Sequence, residues 1–166
     1  MTEAIFTNAR VVTATTDFLG SVCVKDGRIT AVDQGVSAHP GAIDLEGDLL
    51  IPGLIEVHTD NIERHVMPRP AAPWPVSAAV IAHDREVVGA GITTVFDAIC
   101  VGEVHARTGR VELLMELCNA VNERRAAGDL VADHRIHLRC ELSYGCMIDM
   151  LEPLIDDPLV SLLSVM

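Results

Sequence analysis

After Pro52-Gly53 the chain falls into a repeated strand-then-helix rhythm, and that rhythm restricts its fold more than any other feature. Runs at Leu54 to Thr59, Ile92 to Phe96, Ile136 to Glu141 and Leu159 to Val165 read as strands. Helices are expected near Ser77 to Ala90, Arg110 to Ala127 and Cys146 to Ile155, with Gly91 and Gly128 where C-terminal caps fall. Strands alternating with helices imply a parallel sheet. Val111, Leu114, Met115, Cys118 and Val121 form an apolar stripe at helical spacing, so the helix from Arg110 is scaffold.

Up to about Leu50 the pattern is all strand: Ala4 to Thr7, Arg10 to Ala14, then Ser21 to Lys25 and Arg28 to Val32 around Asp26-Gly27. An Asp-Gly between alternating strands predicts a hairpin, because both central positions of such a turn need positive φ. A small antiparallel unit, residues 1–52, is therefore expected before an α/β unit, residues 53–166. A closed (β/α)₈ barrel takes about 250 residues, and four strands make half of one. Leu159 to Met166 ends on an apolar strand with no helix to cover it, so a truncated chain is expected. A compact open α/β domain of four strands is the alternative.

Composition narrows the function classes. With 49% hydrophobic residues the chain has enough apolar surface for a core. A net charge of −12, with no run of Lys and Arg, argues against nucleic acid or anionic membrane as partner. No apolar stretch approaches the ~18 residues of a membrane helix, and the first residues carry no export signal, so a cytoplasmic location is expected. The five cysteines are odd in number and lack a Cys-x-x-Cys pair, so they are expected as buried thiols, with Cys140 packing rather than attacking.

Chemistry-bearing residues gather around the first strand of the second unit. Strand alternation puts Glu56, His58 and Asp60 on one face, and parallel α/β barrels build sites at the C-terminal ends of their strands. An imidazole beside a carboxylate suits a divalent cation such as zinc or manganese. Alternation likewise groups His137, Arg139 and Glu141, with Glu141 at the strand end. Asn61, Arg64, His65 and Arg69 fall in the expected loop after Asp60, and Arg suits bidentate contact with phosphate. The competing reading pairs Arg64 with a carboxylate. Asp97 is expected at the end of the second strand, orienting a ligand from outside the coordination sphere. Of His83 and Asp84, one must point away from the sheet, and His83 is expected as a satisfied core histidine. His39, His105 and His134 fall in expected loops as solvated residues.

The run Asp44-Leu45-Glu46-Gly47 through Pro52-Gly53-Leu54-Ile55-Glu56-Val57-His58 resembles the barrel entry of the amidohydrolase superfamily. Most members carry His-x-His, whereas here His58-Thr59-Asp60-Asn61 stands, followed by Ile62 to Pro70. With Trp74-Pro75, Ala82-His83-Asp84 and Gly91 to Ala98, this resembles the phosphonate-metabolism diphosphatases of the carbon-phosphorus lyase pathway. The resemblance implies the N-terminal part of a β-sandwich, then the first half of a TIM-like (β/α)₈ metal-dependent hydrolase barrel. It implies hydrolysis of α-D-ribose 1-methylphosphonate 5-triphosphate to the 5-phosphate and pyrophosphate by metal-activated water.

By the same resemblance His58, Asp60 and Glu141 are the metal ligands, Glu141 because the sole lysine, Lys25, lies outside the barrel unit. Asn61, Arg64, His65 and Arg69 are the substrate contacts, and the general base is expected beyond Met166, so these residues alone are expected to be inactive. An amidohydrolase acting on a carbon-nitrogen bond is one alternative. A non-catalytic half-barrel assembly subunit, joined as a homo-oligomer, is another.

Overall fold

The structure is a computed structural model that describes residues 3–104 and 109–166. His105, expected as a solvated loop histidine, lies outside the described residues. The chain divides into two compact units, Met1–Pro52 and Gly53–Met166. No helix among the described residues is long and apolar enough to cross a membrane.

The first unit holds one five-stranded sheet: β1 (Glu3–Val12), β2 (Asp17–Lys25), β3 (Arg28–Gln34), β4 (Ile43–Asp44) and β5 (Leu49–Leu50). Its order is β3-β2-β1-β4, with β5 also on β1. The two expected strands at Ala4 and Arg10 are one strand, β1, irregular between Phe6 and Ala9 where Asn8 takes φ of 52°. The Asp26-Gly27 hairpin forms as expected, with φ of 49° and 75°. The expectation of a purely antiparallel unit is corrected, because β4 and β5 both pair parallel with β1. Ala9, Val11 and Val22 form its small core, flanked by Phe18, Val24, Leu45 and Leu50. Among its described residues this unit forms one sheet.

The second unit is a four-stranded parallel sheet in chain order, the arrangement of half a barrel. Its strands are β6 (Leu54–Thr59), β7 (Ile92–Val101), β8 (Asp133–Cys140) and β9 (Val160–Val165). The helices are α1 (Asn61–Val66), α2 (Val76–Gly89), α3 (Arg110–Ala126) and α4 (Met147–Leu151). Gly91 and Gly128 have φ of 82° and 75°, the left-handed geometry that ends a helix without strain on a Cβ. The main core joins Ile99 and Val101 of β7 and Ile136, Leu138 and Cys140 of β8 to Val80 of α2 and Leu114, Leu117 and Val121 of α3. This defines the helix-covered face of the sheet, and strand alternation sends Ala98, Cys100, His137 and Arg139 to the opposite face.

Four local expectations are corrected. The segment Asn61 to Val66 is helix rather than loop, because Ile62 and Val66, one turn apart, are both buried. Strand β7 continues five residues past Phe96, since Ala98 to Val101 are apolar and buried. Strand β8 starts at Asp133, which takes His134 out of a loop and into the sheet. The fourth helix shrinks to Met147–Leu151 and gives way to turns before Pro158.

Candidate functional site

The face opposite the helices carries two rows of side chains that meet across β7. In the first, His58 of β6 and His137 of β8 approach with ring centroids 5.0 Å apart at an interplanar angle of 75°. Ala98 pairs with His137 in the β7–β8 register, and its small side chain leaves room for this contact. In the second row Arg139, the register partner of Cys100, reaches over β7 to Asp60. Arg139 Nη1 donates to both Asp60 carboxylate oxygens at 2.8 Å. Its Nη2 donates to Cys100 Sγ at 2.7 Å, and its Nε lies 3.3 Å from Glu141 Oε1. One guanidinium thus serves two carboxylates and a thiol.

His58 Nε2 stands 4.0 Å from Asp60 Oδ1. Donors around one zinc ion sit about 3.3 Å apart at ligand distances near 2.0–2.1 Å, so a small closure brings this pair onto an ion. Glu141 is buried at the end of β8, on the same face. His137 is 3% exposed, and its Nε2 lies 2.7 Å from Ser164 Oγ of β9. His137 Nδ1 is buried with no hydrogen-bond partner. Burial and the neighbouring His58 hold His137 below the usual imidazole range, against the opposing pull of the Val57 carbonyl and Asp60. Burial, aided by Glu63, pushes the Cys100 thiol up to about 11, so it is inert as a nucleophile at neutral pH. His58 and Asp60 offer an imidazole and a carboxylate within closing distance of one divalent ion.

Asp97 occupies a different place from the one expected. Because β7 runs on to Val101, Asp97 sits in mid-strand on the helix-covered face, fully buried. Its Oδ1 lies 2.9 Å from His83 Nε2 and its Oδ2 2.7 Å from His134 Nδ1. His134 Nε2 is 3.2 Å from Asp84 Oδ1, which also accepts the backbone N–H groups of Val131 and Ala132. His83 and Asp84 are both fully buried, so the expectation that one points outward is corrected: each takes a different partner between α2 and the sheet.

The ligand atoms of His83, Asp97 and His134 lie within 4.8 Å of one another, a spacing compatible with a metal. The hydrogen bonds argue for protons instead. Arg64 Nη1 donates to Asn61 Oδ1, which turns Asn61 Nδ2 toward His83 Nδ1 at 3.3 Å. His83 therefore accepts at Nδ1 and donates from Nε2 to Asp97. His134 faces a carboxylate at each nitrogen and is an imidazolium. Burial pushes it down, but the bonds to Asp97 and Asp84 raise it above the ordinary imidazole value. Burial likewise pushes Asp97 up, and the bonds from His134 and His83 more than offset that, holding it below the carboxylate range.

Asn61, Arg64 and His65 lie on α1 and line a surface depression of about 300 Å³ with Met67, Pro68 and Glu86. His65 Nε2 is 2.8 Å from Glu86 Oε2. Arg64 bonds to Asn61 rather than to a carboxylate. Arg69 is exposed in the following turn and is not among the lining residues.

No protein-family model matches the chain. It is 40% identical over 162 residues, 98% of its length, to the alpha-D-ribose 1-methylphosphonate 5-triphosphate diphosphatase of Escherichia coli (strain K12), and spans 43% of that relative. The resemblance seen in the sequence is thus borne out along almost the whole chain. In fold it is similar to N-isopropylammelide isopropylaminohydrolase from Burkholderia multivorans, with TM-score 0.62 and 20% identity over 98% of this chain and 44% of that one. Dihydropyrimidinase from Brevibacillus agri gives TM-score 0.59 and 19% identity over 98% of this chain and 32% of that one.

Proposed function

We infer that this chain, of the amidohydrolase superfamily, supplies metal-binding and phosphate-contacting residues to a hydrolase of phosphonate metabolism. The substrate in this reading is α-D-ribose 1-methylphosphonate 5-triphosphate, and the products are the 5-phosphate and pyrophosphate. The observation that carries it is 40% identity over 98% of the chain to a diphosphatase of that name. The placement of His58 and Asp60 at the C-terminal end of β6 supports it, because that is where parallel barrels place their chemistry.

His58, Asp60 and Glu141 are the proposed ligands. When bound, zinc or manganese lowers the pKa of a coordinated water and neutralises charge on phosphoryl oxygens. Arg139 holds Asp60 in place through two hydrogen bonds. Asn61, Arg64 and His65 border the depression on α1 and are the proposed contacts for phosphate oxygens, together with Arg69 in the adjacent turn, outside that lining. Asp97 acts at one remove, holding His83 against Asn61.

The test is an assay of the protein purified from its own source, so that any native companion is present, with the ribose triphosphate as substrate. Pyrophosphate and the 5-phosphate in equal amounts, lost on chelation and in His58→Ala, are the expected result. Ammonia or a ring-opened acid from cyclic amides, with no pyrophosphate, would support the carbon-nitrogen reading instead. No pyrophosphate at any metal loading would overturn the proposal.

A further inference from the structure

We propose that His83 is a positioning residue of the depression on α1: it fixes which way the Asn61 amide faces and so presents Arg64 to an incoming phosphate. The proposal rests on the phosphate-contacting reading of that depression and names the group that sets its geometry. Side chains from α1, α2, β7 and β8 form one line of hydrogen bonds. Arg64 Nη1 lies 3.1 Å from Asn61 Oδ1, Asn61 Nδ2 3.3 Å from His83 Nδ1, and His83 Nε2 2.9 Å from Asp97 Oδ1. Asp97 Oδ2 lies 2.7 Å from His134 Nδ1, and His134 Nε2 3.2 Å from Asp84 Oδ1.

The groups at either side of His83 force the direction of this line. A guanidinium can only donate and an ionised carboxylate can only accept. Turned the other way, Asn61 would set its NH₂ group against the guanidinium, and His83 would aim an unprotonated Nε2 at Asp97. His65 Nε2, 3.5 Å from Asn61 Nδ2, does not compete for the amide, because it lies 2.8 Å from Glu86 Oε2. His83, Asp84, Asp97 and His134 are fully buried, so solvent cannot replace a partner lost by a wrong orientation. Asn61 and Arg64, by contrast, border the depression. A buried line locked in one direction thus ends on an exposed arginine whose bond goes to a neutral amide, which leaves its charge for a phosphate.

Binding of inorganic tripolyphosphate to the full protein, followed by calorimetry, tests the proposal. Arg64→Met should weaken it. His83→Phe, which keeps a ring but accepts no bond, should weaken it about threefold to tenfold, the scale of one hydrogen bond. His83→Gln should recover part of that loss, because its amide oxygen can accept from Asn61. In an Arg64→Met background His83→Phe should have no further effect, whereas a merely structural role would weaken binding with or without Arg64. Nitrogen-15 NMR of the unaltered protein needs no variant to fold: at neutral pH His83 should carry a proton on Nε2 and none on Nδ1. A proton on His83 Nδ1, or wild-type affinity in a folded His83→Phe, would overturn the proposal. If Arg64→Met leaves tripolyphosphate binding unchanged, the phosphate-contacting reading fails and the proposal with it. If Arg64→Met weakens binding while His83→Phe acts equally with and without Arg64, only the present inference falls.

Discussion

Arg139 and Asp60, 79 residues apart in sequence, are joined by two hydrogen bonds of 2.8 Å from a single guanidinium nitrogen. The same side chain lies 3.3 Å from Glu141, so one cation balances both carboxylates proposed as ligands. Arg139→Met leaves two carboxylates facing each other without a counter-charge. Asp60 is part-exposed, which moderates the cost, and a loss of about 2 kcal/mol in urea unfolding at neutral pH is expected. Arg139→Lys should recover only part of it, because an ammonium lacks the planar fork. A change below about 0.5 kcal/mol for both would show that solvent screens the pair.

The second prediction concerns pH. His134 is raised above 6.5 in the fold, so its contribution is complete below that value and fades as pH rises through the folded value. Asp97 is lowered below 3.8, so its contribution is present above that value and is lost as pH falls through the folded one. The advantage of the native protein over His134→Gln should therefore be largest between pH 3.8 and 6.5 and shrink toward alkaline pH. The groups facing His134 are Asp97 and Asp84, with Arg85 paired to Asp84. A pH-independent difference in unfolding free energy would show that His134 carries no proton to lose.

Ala98→Leu is the third. Ala98 is fully buried and lies between the strands that carry His58 and His137. Overpacking there costs about 1–3 kcal/mol, and the larger side chain separates the two imidazoles. Cobalt(II) affinity, which reads the pair of His58 and Asp60, should fall along with thermal stability. Unaltered cobalt affinity in a folded variant would mean that the pair does not depend on the contact with His137.

The fourth concerns Gly53 at the entry to the second unit. A Cβ there would lie 2.2 Å from Thr93 Oγ1 and 2.7 Å from Thr93 Cβ, and a β-branched side chain in a strand has little room to turn aside. Gly53→Ala should lower the melting temperature, at a cost of about 1–3 kcal/mol, and Gly53→Ala with Thr93→Ser should recover part of it. An unchanged melting temperature in the single variant would show that the backbone yields.

The residues of the two rows and His134 illustrate what was legible and what was not. Strand parity alone grouped His137 with Arg139 and Glu141 and placed His58 with Asp60, because side-chain direction alternates whatever the fold. The same parity said nothing of which strand lies between β6 and β8. Without that, the contacts of His137 with His58 and of Arg139 with Asp60 could not be inferred. His134 was misjudged because, flanked by Asp133 and Arg135, it looks solvated until Asp84 and Asp97 are brought to it from α2 and β7. The one available signal was the neighbouring Ala82-His83-Asp84 on an apolar helix, a buried polar pair in need of partners.

The sequence by itself determined the local elements and the side each residue takes: apolar periods of two and of 3.6, the Asp26-Gly27 turn, and the glycines ending α2 and α3. These are matters of backbone sterics and of burying one face, and they act over a few residues. Only the tertiary structure decided which charges meet. The strand order β6-β7-β8-β9 brings Arg139 to Asp60, and the packing of α2 on β7 and β8 encloses His134 between Asp84 and Asp97. Ion pairs and proton positions depend on distances of a few ångströms and on exclusion of water, and a linear pattern of residues contains neither.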